Sequence, residues 1–224
     1  MAQNTRILST KVLLPNQKQF LLNANFSVVE ADFIQVQYKS FELNNTNETL
    51  IFTSQNAVLS VLQNPKIETL KQKIVFCVGL KTKALLEENG FKVEAYTGYA
   101  ADLAEIISLV YSDLSYTFFS GNLRRDVLPE MLKENGILFN EIEVYETILT
   151  PQKINSKFDG ILFYSPSGVE SYTKDNKITD EMCFCIGNTT AKALESITEN
   201  IIIANQPSVE NVIIQCINNF SHKL

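Results

Sequence analysis

Short apolar runs alternate along this chain with segments whose apolar residues recur three or four positions apart. The runs at Arg6–Ser9, Val28–Val36, Leu50–Thr53, Ile74–Val78 and Val93–Tyr96 read as buried strands. Five more follow at Tyr116–Ser120, Glu141–Leu149, Gly160–Tyr164, Met182–Ile186 and Ile201–Ala204. The helical period runs through Thr82–Asn89, which stops at Gly90, and Leu123–Asn135, which stops at Gly136. Asp102–Tyr111 and Val209–Phe220 are similar. Strands alternating with helices of this length predict an α/β protein of doubly wound parallel sheets, covered by helices on both faces.

The pattern repeats. "LIFTSQNAV" at Leu50–Val58 resembles "ILFYSPSGV" at Ile161–Val169, placing Phe52 on Phe163 at an offset of 111 residues. "IVFCVGLKTKALL" at Ile74–Leu86 resembles "MCFCIGNTTAKAL" at Met182–Leu194, placing Gly79 on Gly187 at an offset of 108. "AADLAEII" from Ala100 matches "SVENVIIQ" from Ser208 at the same 108, while Ser9, Asn25 and Glu30 fall on Ser120, Gly136 and Glu141 at 111. Four segments in one order, with a shift of three residues that a loop deletion explains, predict a duplicated, pseudo-symmetric protein of two doubly wound lobes.

Composition narrows the chemistry. The 224 residues are long for one compact domain and comfortable for two small ones. A formal charge of −6 argues against non-specific binding to nucleic acid or an anionic membrane. No apolar run approaches bilayer-spanning length, and the opening MAQNTRILSTK has no apolar signal core, so a soluble, cytoplasmic protein is expected. His222 is the only histidine, which makes a Ser-His-Asp triad, a Cys-His pair or a multi-histidine metal site improbable. Cys77, Cys183 and Cys185 sit in strand-like runs and Cys216 in a helical one, as packing thiols of a reducing compartment would. Neither Gly-x-Gly-x-x-Gly nor a Walker-type Gly-Lys-Thr is present, so no metal and no cofactor is implied.

In doubly wound sheets the ligand meets the carboxyl ends of the strands, where loops lead into helices. Five such junctions are chemically alike: Thr53-Ser54-Gln55-Asn56, Gly79-Leu80-Lys81-Thr82, Ser120-Gly121-Asn122, Ser165-Pro166-Ser167-Gly168 and Gly187-Asn188-Thr189-Thr190. Ser, Thr and Asn cap helix starts, Gly admits close backbone approach, and free N–H groups at a helix start attract anions. Capping alone accounts for any single junction; five together would bind several anionic groups without a positive net charge. Lys81, Lys83, Lys192, Arg124 and Arg125 would add local cations or lie on solvated helix faces.

These segments resemble uroporphyrinogen-III synthases, almost throughout the chain and in the family's order. "LIFTSQNAV" is similar to the family's first strand-to-loop signature, and "SGNLRRDVLPEMLKENGILFNEIEVYET" at Ser120–Thr147 to its Gly-Asn-x-x-Arg, Leu-Pro, Gly and Val-Tyr-x-Thr series. "FYSPSGVES" at Phe163–Ser171, "CIGNTTAKAL" at Cys185–Leu194 and Pro207-Ser208 are similar to its second-half signatures. The chain departs from the family at Gln55-Asn56, where many members have Pro-Arg, and at Lys83, often Ala.

The resemblance implies exchanged lobes: residues 1–35 plus 150–224 in one, 39–143 in the other, with hinge strands at 36–38 and 144–149 and the substrate in the cleft between the lobes. It implies a cyclising hydro-lyase of porphyrin and heme biosynthesis, a monomer. The enzyme would close hydroxymethylbilane, a linear tetrapyrrole with an acetate and a propionate on each ring, to uroporphyrinogen III, inverting ring D and losing water. Transient contact with porphobilinogen deaminase is a further implied partnership. Tyr145 matches the family tyrosine that assists hydroxyl departure; a phenol, with an ordinary pKa near 10, is protonated at neutral pH and can donate. A hinge tyrosine that only packs is the other reading. Ser54, Thr82, Ser165, Ser167, Thr189 and Thr190 match positions near the substrate carboxylates, as ligand contacts, helix caps or both; Thr53, Ser120, Gly121, Asn122, Gly168 and Gly187 complete the junction set. Glu143 and Glu146 read as exposed strand faces. A non-catalytic two-lobed protein that binds small anions or a tetrapyrrole is the alternative. A periplasmic-type receptor would need a signal peptide, and a flavodoxin-like or receiver module a flavin phosphate loop or an acidic phospho-acceptor pocket, so neither is expected here.

Overall fold

The computed structural model describes residues 5–221, so His222 lies outside the described residues. Its strands are β1 (Arg6–Ser9), β2 (Ser27–Glu30), β3 (Ile34–Tyr38), β4 (Thr49–Phe52), β5 (Ile74–Val78), β6 (Lys92–Thr97), β7 (Tyr116–Gly121), β8 (Phe139–Leu149), β9 (Gly160–Phe163), β10 (Met182–Cys185) and β11 (Ile201–Ile203). The helices are α1 (Pro15–Asn23), α2 (Gln55–Leu62), α3 (Ile67–Lys71), α4 (Leu80–Glu88), α5 (Ala100–Val110), α6 (Val127–Glu134), α7 (Pro166–Asp175), α8 (Asn188–Lys192) and α9 (Val209–Ser221). No helix among the described residues is long and apolar enough to cross a membrane.

Two compact units divide the chain, Met1–Gln35 with Ile148–Leu224, and Val36–Thr147. The first carries a five-stranded sheet in the order β11-β10-β9-β1-β2, and the order β3-β8-β7-β4-β5-β6 belongs to the second. All the pairings from β11 through β2, and from β8 through β6, are parallel. Parallel strands need helical crossovers, which is why every strand except β2, β3 and β8 is followed by a helix.

The internal repeat explains both orders. The first copy contributes β1, β2, β4, β5 and β6, and the second contributes β7 to β11 in the same sequence. Each sheet takes its first two strands from one copy and its last three from the other. Either sheet then has the flavodoxin-like order 2-1-3-4-5, with β3 added beside β8 at the edge of the six-stranded one, and the direction of winding reverses between the first and third strands.

Alternation along the strands divides each unit's core into two layers. In the second unit Leu50, Phe52, Val75 and Cys77 face one layer, while Ile51 and Phe76 face the other. In the first, Ile161, Phe163, Cys183 and Cys185 face one, while Leu162 and Phe184 face the other. Strands β4, β7 and β9 are buried along their whole length, as central strands covered on both faces must be.

Where the pattern predicts one strand over Val28–Val36, the structure forms two, β2 and β3. The run is apolar throughout because it supplies first one unit's sheet and then the other's. Between them Ala31 N–H donates to the Ser9 carbonyl, Asp32 Oδ1 accepts from Val12 N–H at 2.8 Å, and Phe33 is fully buried. Helix α1 has no periodic stripe to reveal it: Phe20, Leu21 and Leu22 are consecutive, and only Leu21 is buried. The α6 helix begins at Val127 rather than Leu123, after a loop tied down by Arg124.

Helices α1, α4 and α6 end alike. Asn25, Gly90 and Gly136 have φ of 60°, 84° and 70°, and each N–H returns to the helix's last turn. The following apolar residue, Phe26, Phe91 or Ile137, is buried and donates to Leu21, Leu86 or Leu132. Asn25 and Gly136 are repeat equivalents, and asparagine is the side chain that best tolerates glycine's left-handed conformation.

Candidate functional site

The reversal points, β7/β4 in the second unit and β1/β9 in the first, place specific loops at the carboxyl ends of adjacent strands. In the second unit these are Ser120-Gly121-Asn122 and Thr53-Ser54. The β7–β8 register steps from Ser120↔Glu143 to Gly121↔Tyr145, leaving Val144 as an extra residue. Val144 is buried, and its carbonyl accepts from Ser60 Oγ at 2.5 Å and Lys39 N–H at 2.9 Å.

This bulge sets Tyr145 opposite Gly121. Any β-carbon on Gly121 would overlap the Tyr145 ring. Asn122 then closes on the same strand: its N–H donates to the Tyr145 carbonyl at 3.3 Å, its Oδ1 accepts from Thr147 N–H at 2.8 Å, and its Nδ2 donates to the Thr147 carbonyl at 3.3 Å. Tyr145 is half-buried, packed against a core layer that includes Phe52 and Phe119. Its hydroxyl has no hydrogen-bond partner among the described residues.

Beside Tyr145, exposed Glu143 pairs with Lys39 at 2.7 Å, and Glu146 is half-buried. That hydrogen bond and charge raise the Lys39 pKa. Arg124 is engaged by carboxylates of its own unit: Nε and Nη2 meet Glu141 at 2.5 and 2.9 Å, and Nη1 meets Asp126. Partial burial pushes the Glu141 carboxyl up, but hydrogen bonds from Arg124 and Ser120 and the Arg124 charge outweigh it and hold it below the usual range. Ser120 is 3% exposed, and its hydroxyl helps to hold the Glu141 carboxyl down. Ser54 caps α2, accepting from Asn56 N–H at 3.1 Å, and stays half-buried with Thr53.

The first unit's reversal point is built from Ser9-Thr10-Lys11 and Tyr164-Ser165. Thr10 donates twice to the Leu162 carbonyl, from N–H at 3.1 Å and Oγ1 at 2.7 Å. Ser9 Oγ donates to the Lys11 carbonyl at 2.6 Å and meets the Tyr164 hydroxyl at 3.2 Å. Burial drives the Tyr164 phenol well above its ordinary pKa, so it stays protonated. Ser165 caps α7, accepting from Gly168 N–H at 3.0 Å and lying 3.0 Å from Ser167 Oγ. Pro166, at the first position of α7, carries no N–H, and the Gly168 and Val169 N–H groups are bonded to Ser165, which leaves the Ser167 N–H of the first turn.

At the β5–α4 and β10–α8 junctions the paired threonines divide. Thr82 and Thr190 are buried against their own units, whereas Thr189 and its repeat equivalent Lys81 are exposed. Gly187 is extended, and a β-carbon there would meet nothing. Lys83 lies over the Tyr96 ring at 4.6 Å and 3.7 Å from Glu87, while Lys192 and Arg125 are exposed. All four cysteines are buried and free; burial pushes Cys77, Cys183 and Cys185 up to about 12 and Cys216 further. No group of three or more His, Cys, Asp or Glu among the described residues is placed to hold a metal.

Sequence reasoning passed over Thr10, Lys11 and Tyr164 as site residues. The signal was present in the repeat: at an offset of 111, Thr10 and Lys11 are the counterparts of Gly121 and Asn122, and Tyr164 of Thr53.

Comparison with known proteins places the chain in a family and a fold. The family profile described as uroporphyrinogen-III synthase HemD matches residues 21–214. The uroporphyrinogen-III synthase of Chlorobaculum parvum is 26% identical over 168 residues, 65% of this chain and 68% of that protein. That of Saccharomyces cerevisiae is 24% identical over 201 residues, covering 70% and 71%. The crystal structure of uroporphyrinogen-III synthetase from Helicobacter pylori superimposes with a TM-score of 0.74 at 22% identity, over 97% of this chain and 100% of that one. A mutant uroporphyrinogen III synthase from Thermus thermophilus gives 0.72 at 14%, over 98% and 100%. These structural likenesses show a common two-domain α/β fold.

Proposed function

The chain belongs to the uroporphyrinogen-III synthase HemD family, and from that premise we propose that it cyclises hydroxymethylbilane to uroporphyrinogen III. The observation that carries the mechanism is Tyr145, seated on Gly121 and clamped at Thr147, with a hydroxyl that no described residue engages. That phenol donates its proton to the departing hydroxyl of the substrate. The C–O bond breaks, water leaves, and the ring's pyrrole N–H proton returns to the phenolate, which gives a neutral azafulvene. The opposite end of the tetrapyrrole then attacks and closes the ring through a spiro intermediate that inverts ring D. Net loss of water makes the enzyme a cyclising hydro-lyase.

The work asked of the protein is chiefly orientation of a flexible polyanion. The Gln55 and Ser167 N–H groups at the starts of α2 and α7, with Thr53, Ser54, Ser165, Ser167 and Gly168, suit acetate and propionate groups. Gly187 and exposed Thr189 offer a further backbone and hydroxyl contact. Buried Ser120, Thr82 and Thr190 shape these junctions from behind. The hinge role of residues 36–38 and 144–149 belongs to this reading, as does a cytoplasmic monomer working beside the deaminase that supplies its substrate; four buried free thiols fit a reducing compartment.

The test generates hydroxymethylbilane in situ with porphobilinogen deaminase, adds the purified protein, and separates the oxidised porphyrin isomers. Mostly type III product is expected. Type I alone, the product of unaided closure, would move the function to tetrapyrrole or anion binding. Tyr145→Phe should keep the isomer and slow turnover roughly ten- to a hundredfold, less than full general-acid catalysis because the hydroxyl also leaves unaided.

A further inference from the structure

Asn122 stands at a junction whose other polar groups suit substrate carboxylates, and its side chain is exposed. Yet both ends of its amide are already committed. Oδ1 accepts from Thr147 N–H at 2.8 Å and Nδ2 donates to the Thr147 carbonyl at 3.3 Å, the two bonds a neighbouring strand would make. Its own N–H meets the Tyr145 carbonyl at 3.3 Å. The side chain thus continues the β7–β8 ladder past the end of β7, at Thr147, the second residue after Tyr145.

The need for such a clamp follows from the bulge. The step between Ser120 and Gly121 breaks the regular ladder at the point where Tyr145 must be presented. Gly121 yields the space for the ring, but a glycine makes no side-chain bond that would hold it. Arg124, bonded twice to Glu141 on β8, fixes the far end of the same loop. Asn122 lies between these two anchors.

We infer that Asn122 is a positioning residue for Tyr145 and not a contact to the substrate. This rests on the reading of Tyr145 as the proton donor. Loss of the amide lets the backbone of residues 145–147 drift from β7, and the phenol with it. A displacement of about 1 Å at a reacting group is worth up to roughly a hundredfold in rate, so a partial loosening should lower kcat about tenfold.

A double-mutant cycle on the whole protein decides the matter. Asn122→Ala should lower kcat about tenfold with KM changed less than twofold, while Asn122→Ala in a Tyr145→Phe background should be no slower than Tyr145→Phe alone. Asn122→Asp, which keeps the acceptor for Thr147 N–H, should recover most of kcat. If Asn122→Ala slows both backgrounds equally, or acts on KM alone, Asn122 touches substrate and the inference falls while the Tyr145 reading stands. If Tyr145→Phe itself turns over at the wild-type rate, the Tyr145 reading falls and takes the inference with it. Circular dichroism and a urea midpoint for each variant separate these effects from unfolding.

Discussion

Two glycines show how differently one residue type serves this protein. Gly121 is needed for what lies next to it: a methyl group there meets the Tyr145 ring, and either the ring or strand β7 must move. Gly187 has open space around its α-carbon and an extended φ of −178° that any residue adopts. Gly121→Ala should therefore destabilise the protein by about 1–3 kcal/mol, the range for overpacking. Gly187→Ala should stay within about 0.5 kcal/mol of wild type. Urea unfolding of both variants checks the pair; equal midpoints would mean that Tyr145 rearranges without strain. The same residue scale explains why part of the site was hidden in the string. Ser120, Thr82 and Thr190 look like Ser54 and Ser165 in sequence, but burial decides which hydroxyl faces outward, and burial depends on the neighbouring strand.

Among the elements, the loop from β7 to α6 is tied to β8 by an ion pair rather than by packing. Arg124 and Glu141 meet at 2.5 and 2.9 Å with side chains about a quarter exposed. The equivalent loop of the first copy is tied the same way by different chemistry: Leu13 N–H donates to Glu30, the counterpart of Glu141, and Lys18 pairs with that carboxylate. A carboxylate on the second strand thus holds the loop after the first strand in both copies. Because the Glu141 carboxyl titrates below its ordinary 4.5 in the folded protein, its contribution is present above that pH and is lost as pH falls through the lower folded value. Solvent screening limits it to about 1 kcal/mol. Glu141→Gln should accordingly be less stable than wild type by up to about that much at pH 7, with the gap shrinking as pH is lowered below 4.5; urea midpoints at pH 7 and through the acid range measure it, and a gap independent of pH would assign it to packing.

For the whole molecule, the sequence repeat and the folded unit do not coincide. A fragment cut at the repeat boundary, residues 1–111, holds two strands of one sheet and three or four of the other, so neither sheet closes its core. Residues 34–149 contain every strand of the second unit's sheet and both of its core layers. The longer-range prediction is that 34–149 expressed alone unfolds cooperatively in urea, and that 1–111 does not. Cooperative folding of 1–111 would mean that the first copy can form a sheet of its own. The exchange also explains the split of Val28–Val36: a run serving two sheets in succession looks continuous until the chain is seen to change partners.

Much of this architecture is local and so was determined by the sequence itself. Apolar runs bury on both faces wherever they fall, which set the α/β class, and left-handed helix ends need Gly or Asn, which marked the stops at Gly90 and Gly136. The likeness of two copies marked five junctions with caps and glycines. What only the tertiary structure decided depends on residues far apart in the chain. Periodicity says that a strand exists but not which strand it pairs with, so the exchanged sheets and their 2-1-3-4-5 order are properties of long-range pairing. Nor does a Gly-Asn dipeptide disclose that its glycine makes room for one tyrosine and its amide holds the backbone beyond it, 25 residues away from Asn122 at Thr147, because that contact exists only once β7 and β8 lie side by side.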